Sequence, residues 1–447
     1  MLNFLPKNYK TIIRLAFPII LANASAPLLG LADTAAIGQT GDAIDLGGVA
    51  LATLVFSFVY WGFGFLRMGT TGFIAQARGA KDHQEVLTVL YRSVLLGLSI
   101  GILLIVLQTF ILKLATVWMS ASDEVIALVG EYFRVRIWGA PATLITYALL
   151  GGFIGLGKTK ELLWVQLLLN GVNIGLNVLF VVGFQMGIKG IAAGTVIAEY
   201  IALFFAWYLL SNRLEIRRPV QEIKQLWNVI LERSKVVALF KVNGDIMIRT
   251  FALLAGFAWF ADQGAQFGDS ILAANHVLLQ FVSLSAFFLD GYAYVMEMLS
   301  GKTIGEKNLK EFKFHLKDST IIAGVTAFFL GFFFYALGPY FIPLLSQDGE
   351  VQAIAKAHLL FAGIYILFSF VAFQLDGVFI GATQSREMRN ASIISLIFFV
   401  AASFILTDYF GNRGLWLSFI FYVIVRGISL GLYLPKLIRV KFPKLIN

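Results

Sequence analysis

The sequence predicts an all-α polytopic membrane protein with twelve transmembrane helices in two pseudo-symmetric six-helix lobes, and three observations carry that expectation. Of 447 residues, 59% are hydrophobic and 14% charged, with a mean hydropathy of +0.81, far from the balance of an average soluble domain. Apolar runs of roughly twenty residues, each long enough to cross about 30 Å of hydrocarbon as a helix, recur from one end of the chain to the other. The second half also repeats features of the first at a constant offset. Helices satisfy their own backbone hydrogen bonds in lipid, so a helical bundle is the economical way to hold such runs in a membrane.

The first span, 12–37, contains Pro18 and Pro27, which interrupt backbone hydrogen bonds and let a helix bend. The opening stretch MLNFLPKNYKTIIRLAF has no small-residue cleavage site after a short apolar core and reads as an uncleaved first span. The second span, 46–73, leads into the basic QARGAKDHQEVLTVLYR, and the third, 89–113, emerges at SASDE. The fourth, 126–152, returns at GKTKE. The fifth and sixth, 161–184 and 189–210, end at the longest polar segment, SNRLEIRRPVQEIKQLWNVILERSK. The seventh, 236–261, runs out to ADQGAQFGDS, and the eighth, 271–298, comes back to GKTIGEKNLKEFKFHLK. The ninth, 317–339, reaches SQDGE; the tenth, 353–380, returns at TQSREMR; the eleventh and twelfth, 391–409 and 415–435, finish at PKLIRVKFPKLIN.

Lys and Arg therefore crowd into every second connection, while the loops between, GQTGDAIDL included, carry acids and almost no bases. The positive-inside bias places the basic loops and both termini in the cytoplasm, for a chain in a bacterial-type plasma (inner) membrane. The net charge of +9 is then a matter of topology and calls for no nucleic-acid partner. Cysteine is absent, which removes disulfides and thiolate metal sites.

The polar segment 211–235 divides the chain into lobes of residues 1–210 and 236–447. A shift of 226 positions sets GGFIGLGKTKE (Gly151 to Glu161) beside GVFIGATQSRE (Gly377 to Glu387), and QARGAKD (Gln76 to Asp82) beside KTIGEKN (Lys302 to Asn308). A shift of 227 pairs QTGD (Gln39 to Asp42) with QFGD (Gln266 to Asp269). Duplication of a six-span unit is common in secondary transporters, whose lobes rock about a midplane site. The repeat also bears on GFIGLGKT (Gly152 to Thr159), which has the spacing of a phosphate-binding loop. Its second copy lacks the Gly-Lys pair, no strand precedes it, and no soluble stretch is long enough for a nucleotide-binding domain. A cytoplasmic helix end with a glycine turn is the better expectation.

GLADTAAIG, FLRMGTTGFIAQARGA, NIGLNVLF, GTVIAEY, LDGYAYVMEMLSG and DGVFIGATQSREMRN fall in order on the first, second, fifth, sixth, eighth and tenth spans. With these motifs across both lobes, the chain resembles the multidrug and toxic compound extrusion (MATE) family, within it the DinF-like branch. The resemblance implies a V-shaped, monomeric pair of six-helix lobes that exports bulky, often cationic and aromatic compounds in exchange for protons or sodium ions. It implies no enzyme activity, and no cofactor beyond the coupling ion.

Ionisable groups inside spans are functional candidates by default. Asp33 is the sharpest, because apolar surroundings disfavour its ionised form and suit it to proton exchange. Asn170, Asn173 and Asn177 share one face of the fifth span, and Thr195 and Glu199 one face of the sixth. At the 226-residue shift the second lobe has Trp259, Leu396, Phe399, Ser403, Phe421 and Val425 in place of Asp33 and these five. A polarity demanded by the fold should appear twice; this one is confined to one lobe. The resemblance matches Asp33 to the family's first-span coupling aspartate, and Asn173 and Thr195 to polar partners around it. Asn177 departs from it, since many relatives carry an aspartate there; fewer anionic ligands favour protons over sodium, although Glu199 could restore the charge. Interhelical bonding that merely holds spans together is the plainer reading of the asparagines.

Asp290 and Glu297 on the eighth span and Asp376 on the tenth are secondary candidates, with pairing to Arg67 or capping as the plainer reading. Arg67 is the single deep base counted, and its side chain can snorkel. Phe17, Phe153 and Asn170 are candidates for a substrate cavity, and His276 is read as structural. Three rivals to an antiporter remain. A lipid-linked precursor flippase needs several deep bases, an ATP-driven pump needs Gly152 to Thr159, and a channel needs a filter-like loop.

Overall fold

The computed structural model describes residues 7–40, 43–117, 121–213 and 227–443. Among them every regular element is helical. In the first repeat α1 (Lys7–Thr40), α4 (His83–Val106) with its extension α5 (Gln108–Val117), α8 (Thr159–Val178) and α9 (Gly187–Arg213) supply four passages. Two others are broken helices. α2 (Ala43–Gly62) and α3 (Phe65–Gly79) are separated at Phe63 and Gly64, where amides reach back only three residues, to Tyr60 and Trp61. α6 (Asp123–Arg136) and α7 (Ala140–Gly155) are separated by a 3₁₀ turn, Ile137–Gly139, and Pro141 opens the new helix, where its missing N–H matters least. The second repeat has six continuous helices: α10 (Arg233–Ala265), α11 (Asp269–Gly305), α12 (Leu309–Leu345), α13 (Gly349–Gly381), α14 (Ser385–Phe410) and α15 (Asn412–Lys441). Ten of the twelve passages are long and apolar enough to cross a membrane among the described residues; α1 and α10 are 34 and 33 residues long. The protein is an all-α polytopic membrane protein.

The 226-residue repeat is written into the backbone. Left-handed residues occur at Lys81 and Lys307, at Gly157 and Thr383, and at Gln185 and Gly411, three pairs with that one separation. Asp82 caps α4 by accepting from the Glu85 amide at 2.9 Å, and Asn308 caps α12 through Glu311 at 3.1 Å, again 226 apart. The GFIGLGKT question is answered here. The Lys158 amide bonds Phe153 O at 2.7 Å and the Gly157 amide bonds Ile154 O at 2.8 Å, a Schellman helix end. Its counterpart, Gln384 to Phe379 and Thr383 to Ile380, has the same two bonds at 2.9 Å each. A turn that forms equally well with Thr383 in place of Gly157 is a chain reversal.

Packing separates two compact units. One holds residues 21–74 and 82–240, and the other residues 1–20, 75–81 and 241–447. In the second, Phe260, Phe399, Phe419, Trp416, Tyr365 and Tyr422 form the aromatic centre of a hydrophobic core.

Candidate functional site

Buried amides line the interior face of α8. Asn170, Asn173 and Asn177 are all buried, which places three polar side chains in one stripe, as their spacing predicts. Asn170 Nδ2 donates to Ser25 Oγ on α1 at 2.7 Å, and Ser25 Oγ in turn donates to Ala22 O. Asn177 Nδ2 donates to Asn173 Oδ1 at 2.8 Å. Among the described residues, buried Asn173 Nδ2 has no hydrogen-bond partner. An amide donor left without an acceptor in an apolar interior is costly, so Nδ2 is available to donate to an oxygen of a ligand or side chain. Thr195 on α9 is also buried and donates to Ile191 O at 2.8 Å, leaving its lone pairs available.

Glu199, one turn further along α9, is held by Arg136. The guanidinium donates Nη1 to Oε2 at 2.7 Å and Nη2 to Oε1 at 2.5 Å, both side chains being buried. Its planar faces lie over the rings of Phe56 and Tyr60, each 5.3 Å from the centroid. Arg136 also corrects the expectation that Arg67 is the only deep base. Arg249 and Arg426 are buried as well, and both donate to Asp376 Oδ2, the latter at 3.0 Å. Arg426 lies over Phe373, and Asp290 is within its electrostatic reach. The signal for all three arginines was present as bases well inside the fourth, seventh and twelfth spans.

The second repeat fills the equivalent space differently. Trp259 Nε1 on α10 donates to Ser403 Oγ on α14 at 2.9 Å, and these residues stand 226 positions after Asp33 and Asn177. Phe399, the counterpart of Asn173, packs on Phe419 and Tyr422 with ring centroids 5.5 and 5.3 Å away.

The MatE family model matches residues 18–179 and 263–405, one stretch in each repeat. The chain belongs to the MatE family. This MATE transporter is 34% identical to the DNA damage-inducible protein F of Escherichia coli (strain K12) over 432 residues, 96% of this chain and 92% of that protein. It is 27% identical over 436 residues to Protein DETOXIFICATION 44, chloroplastic, of Arabidopsis thaliana, covering 94% and 80% of the two chains. Among solved structures it is similar to the outward-facing conformation of a multidrug resistance MATE family transporter of the MOP superfamily, with TM-score 0.85 over 98% of each chain at 19% identity. That likeness speaks to the fold.

Within the MATE transporter the remaining candidates separate. Pro18 is buried and Pro27 exposed, both in α1, which stays helical from Lys7 to Thr40. Asp33 lies on the same helix, and its side chain falls outside the described residues. Phe17 is 58% exposed, whereas Phe153 is wholly buried and presents no ring surface. His276 is exposed, with its ring nitrogen 3.1 Å from Gln280 Nε2. Glu297 and Arg67 are buried, Asp290 half-buried. Asp376 is the acid of the second repeat's buried ion cluster, and among the described residues its Oδ1 has no hydrogen-bond partner.

Proposed function

We propose that this MATE transporter is a proton-coupled antiporter that exports lipophilic, often cationic aromatic compounds by alternating access. In this reading it works as a monomer in a bacterial-type inner membrane, with both termini cytoplasmic and no cofactor beyond the coupling ion. Asp33, Asn173, Asn177 and Thr195 form the coupling site. The observation that carries the reading is the buried asparagine stripe, whose Asn173 Nδ2 has no partner among the described residues, set against the aromatic filling at the matched position Phe399 of the other repeat.

In this mechanism ionised Asp33 holds a lipophilic cation by charge while apolar side chains, with Phe17 and Asn170 among the candidates, hold its body. A proton arriving from outside removes that attraction, rearranges the bonds to Asn173, Asn177 and Thr195, and lets α1 bend at Pro18 and Pro27. Coupling can then be no larger than the difference in proton affinity between the two states. An amide at Asn177 leaves sodium short of anionic ligands, which favours the proton; sodium is the alternative coupling ion.

The three buried arginines reopen the flippase reading, because a lipid-linked pyrophosphate needs deep bases. Arg136 is matched one to one by Glu199, whereas Arg249 and Arg426 share the single carboxylate of Asp376, with Asp290 also within electrostatic reach of Arg426. Every one of these guanidinium groups already has a carboxylate partner, which argues against a vacant anion site. The test is purified protein in liposomes without nucleotide. Dye transport driven by an imposed pH gradient is expected; strict dependence on a sodium gradient, on ATP, or on a lipid-linked substrate would replace this reading with one of its rivals.

A further inference from the structure

Glu199 shares its repeat with the asparagine stripe, at a depth where a bare carboxylate would be a second exchanging group. We propose instead that Arg136 holds Glu199 as a permanently charged, internally compensated strut, so that this repeat exchanges a single cation per transport cycle. The inference rests on the antiport reading above and adds its stoichiometry.

Both carboxylate oxygens are taken, one by each guanidinium nitrogen, at 2.7 and 2.5 Å. A proton or sodium ion on either oxygen would have to displace a charge-assisted bond in a dry interior. The guanidinium cannot release its own proton, and Phe56 and Tyr60 cover its faces. The groups within electrostatic reach of the pair are Tyr60, whose hydroxyl is 3.5 Å from Arg136 Nη1, and Tyr132, Tyr147 and Thr143, while Arg67 is in reach of Tyr147. Among the described residues, no second acid is counted with them.

The chain makes room for the pair. Span four breaks into its 3₁₀ turn directly after Arg136, and a Cβ on Gly139 would strike both Glu199 Oε2 and Arg136 Nη1. At the matched positions of the second repeat stand Ala362, Tyr365 and Val425, and there Tyr365 stacks on Phe419 at 4.5 Å. The strut therefore belongs to the coupling repeat and not to the shared frame. Arg136 is a positioning residue, acting through Glu199.

One proton exchanged for one monovalent cation moves no net charge. Ethidium flux in liposomes should therefore reverse at a pH gradient that is independent of membrane potential, in the wild type and equally in the Arg136→Gln/Glu199→Gln double variant. A reversal point that shifts with potential in the wild type, or that differs between wild type and double variant, overturns the proposal. Should the double variant fail to fold, Arg136→Lys keeps the charge and must show the wild-type reversal point. A second readout needs no transport. In infrared difference spectra on acidification, the carboxyl band of the wild type should survive Glu199→Gln, and Arg136→Gln should add a band that Glu199→Gln removes. Loss of the wild-type band in Glu199→Gln overturns the strut, whereas absent ion-driven flux with the expected spectra sinks the antiport reading and leaves the strut standing.

Discussion

The two repeats of this MATE transporter share their turns and differ in what fills them. Lys81 and Lys307, Gly157 and Thr383, and Gln185 and Gly411 adopt the same left-handed backbone, and Asp82 and Asn308 cap the helices that follow the first pair. Yet where the first repeat has Asn173 bonded to Asn177, the second has Phe399 packed on Phe419 and Tyr422. An aromatic filling closes the same frame. The second repeat keeps buried amides elsewhere, as in the Asn275 and Asn412 pair, but at the position matching Asn173 the frame closes without one, so the desolvation penalty at that station is not demanded by the shared fold.

That comparison can be broken most sharply at the buried ion pairs. Arg136→Ala leaves Glu199 buried without a counter-ion, and should cost about 3–5 kcal/mol in thermal unfolding in detergent. Asp376→Ala, which strands Arg249 and Arg426, belongs to the same range. A loss below about 1 kcal/mol in either would mean that water or another group reaches the interior. Next in size, Asn173→Phe carries the second repeat's filling into the first. Gradient-driven efflux should fall about tenfold or more, equivalent to about 1.4 kcal/mol of lost coupling, with the folded fraction retained; efflux at the wild-type level would make the stripe structural. Ser403→Ala removes the acceptor of Trp259. It should lower stability by about 0.5–1.5 kcal/mol and leave ion dependence untouched. Smallest is Lys436→Gln, whose 3.0 Å pair with Glu387 sits on a lysine 63% exposed; a stability change of about 1 kcal/mol or less is expected.

Hydropathy and loop charge made the twelve passages legible, because each span's length and flanks are local properties. The repeat was legible from GGFIGLGKTKE and GVFIGATQSRE, since a turn preserves its residues at fixed offsets. Asn170, Asn173 and Asn177 could be placed on one face from their three- and four-residue spacing alone. Arg136, by contrast, follows Arg134 at the end of a helix, and its partner lies 63 positions away. No short-range pattern links them; only packing of α6 against α9 does. Arg249 and Arg426 were hidden in the same way, being 127 and 50 positions from Asp376. The breaks at Gly64 and at Ile137–Gly139 had glycine and Pro141 as signals, but apolar periodicity ran through both and masked them.

The central claim is that ion exchange belongs to the first repeat, and the matched positions Asp33 and Trp259 test it most directly. In liposomes with an imposed pH gradient, Asp33→Asn should abolish gradient-driven dye transport while Trp259→Phe retains it. Sustained pH-driven transport by Asp33→Asn, at a level comparable to wild type, would contradict the account.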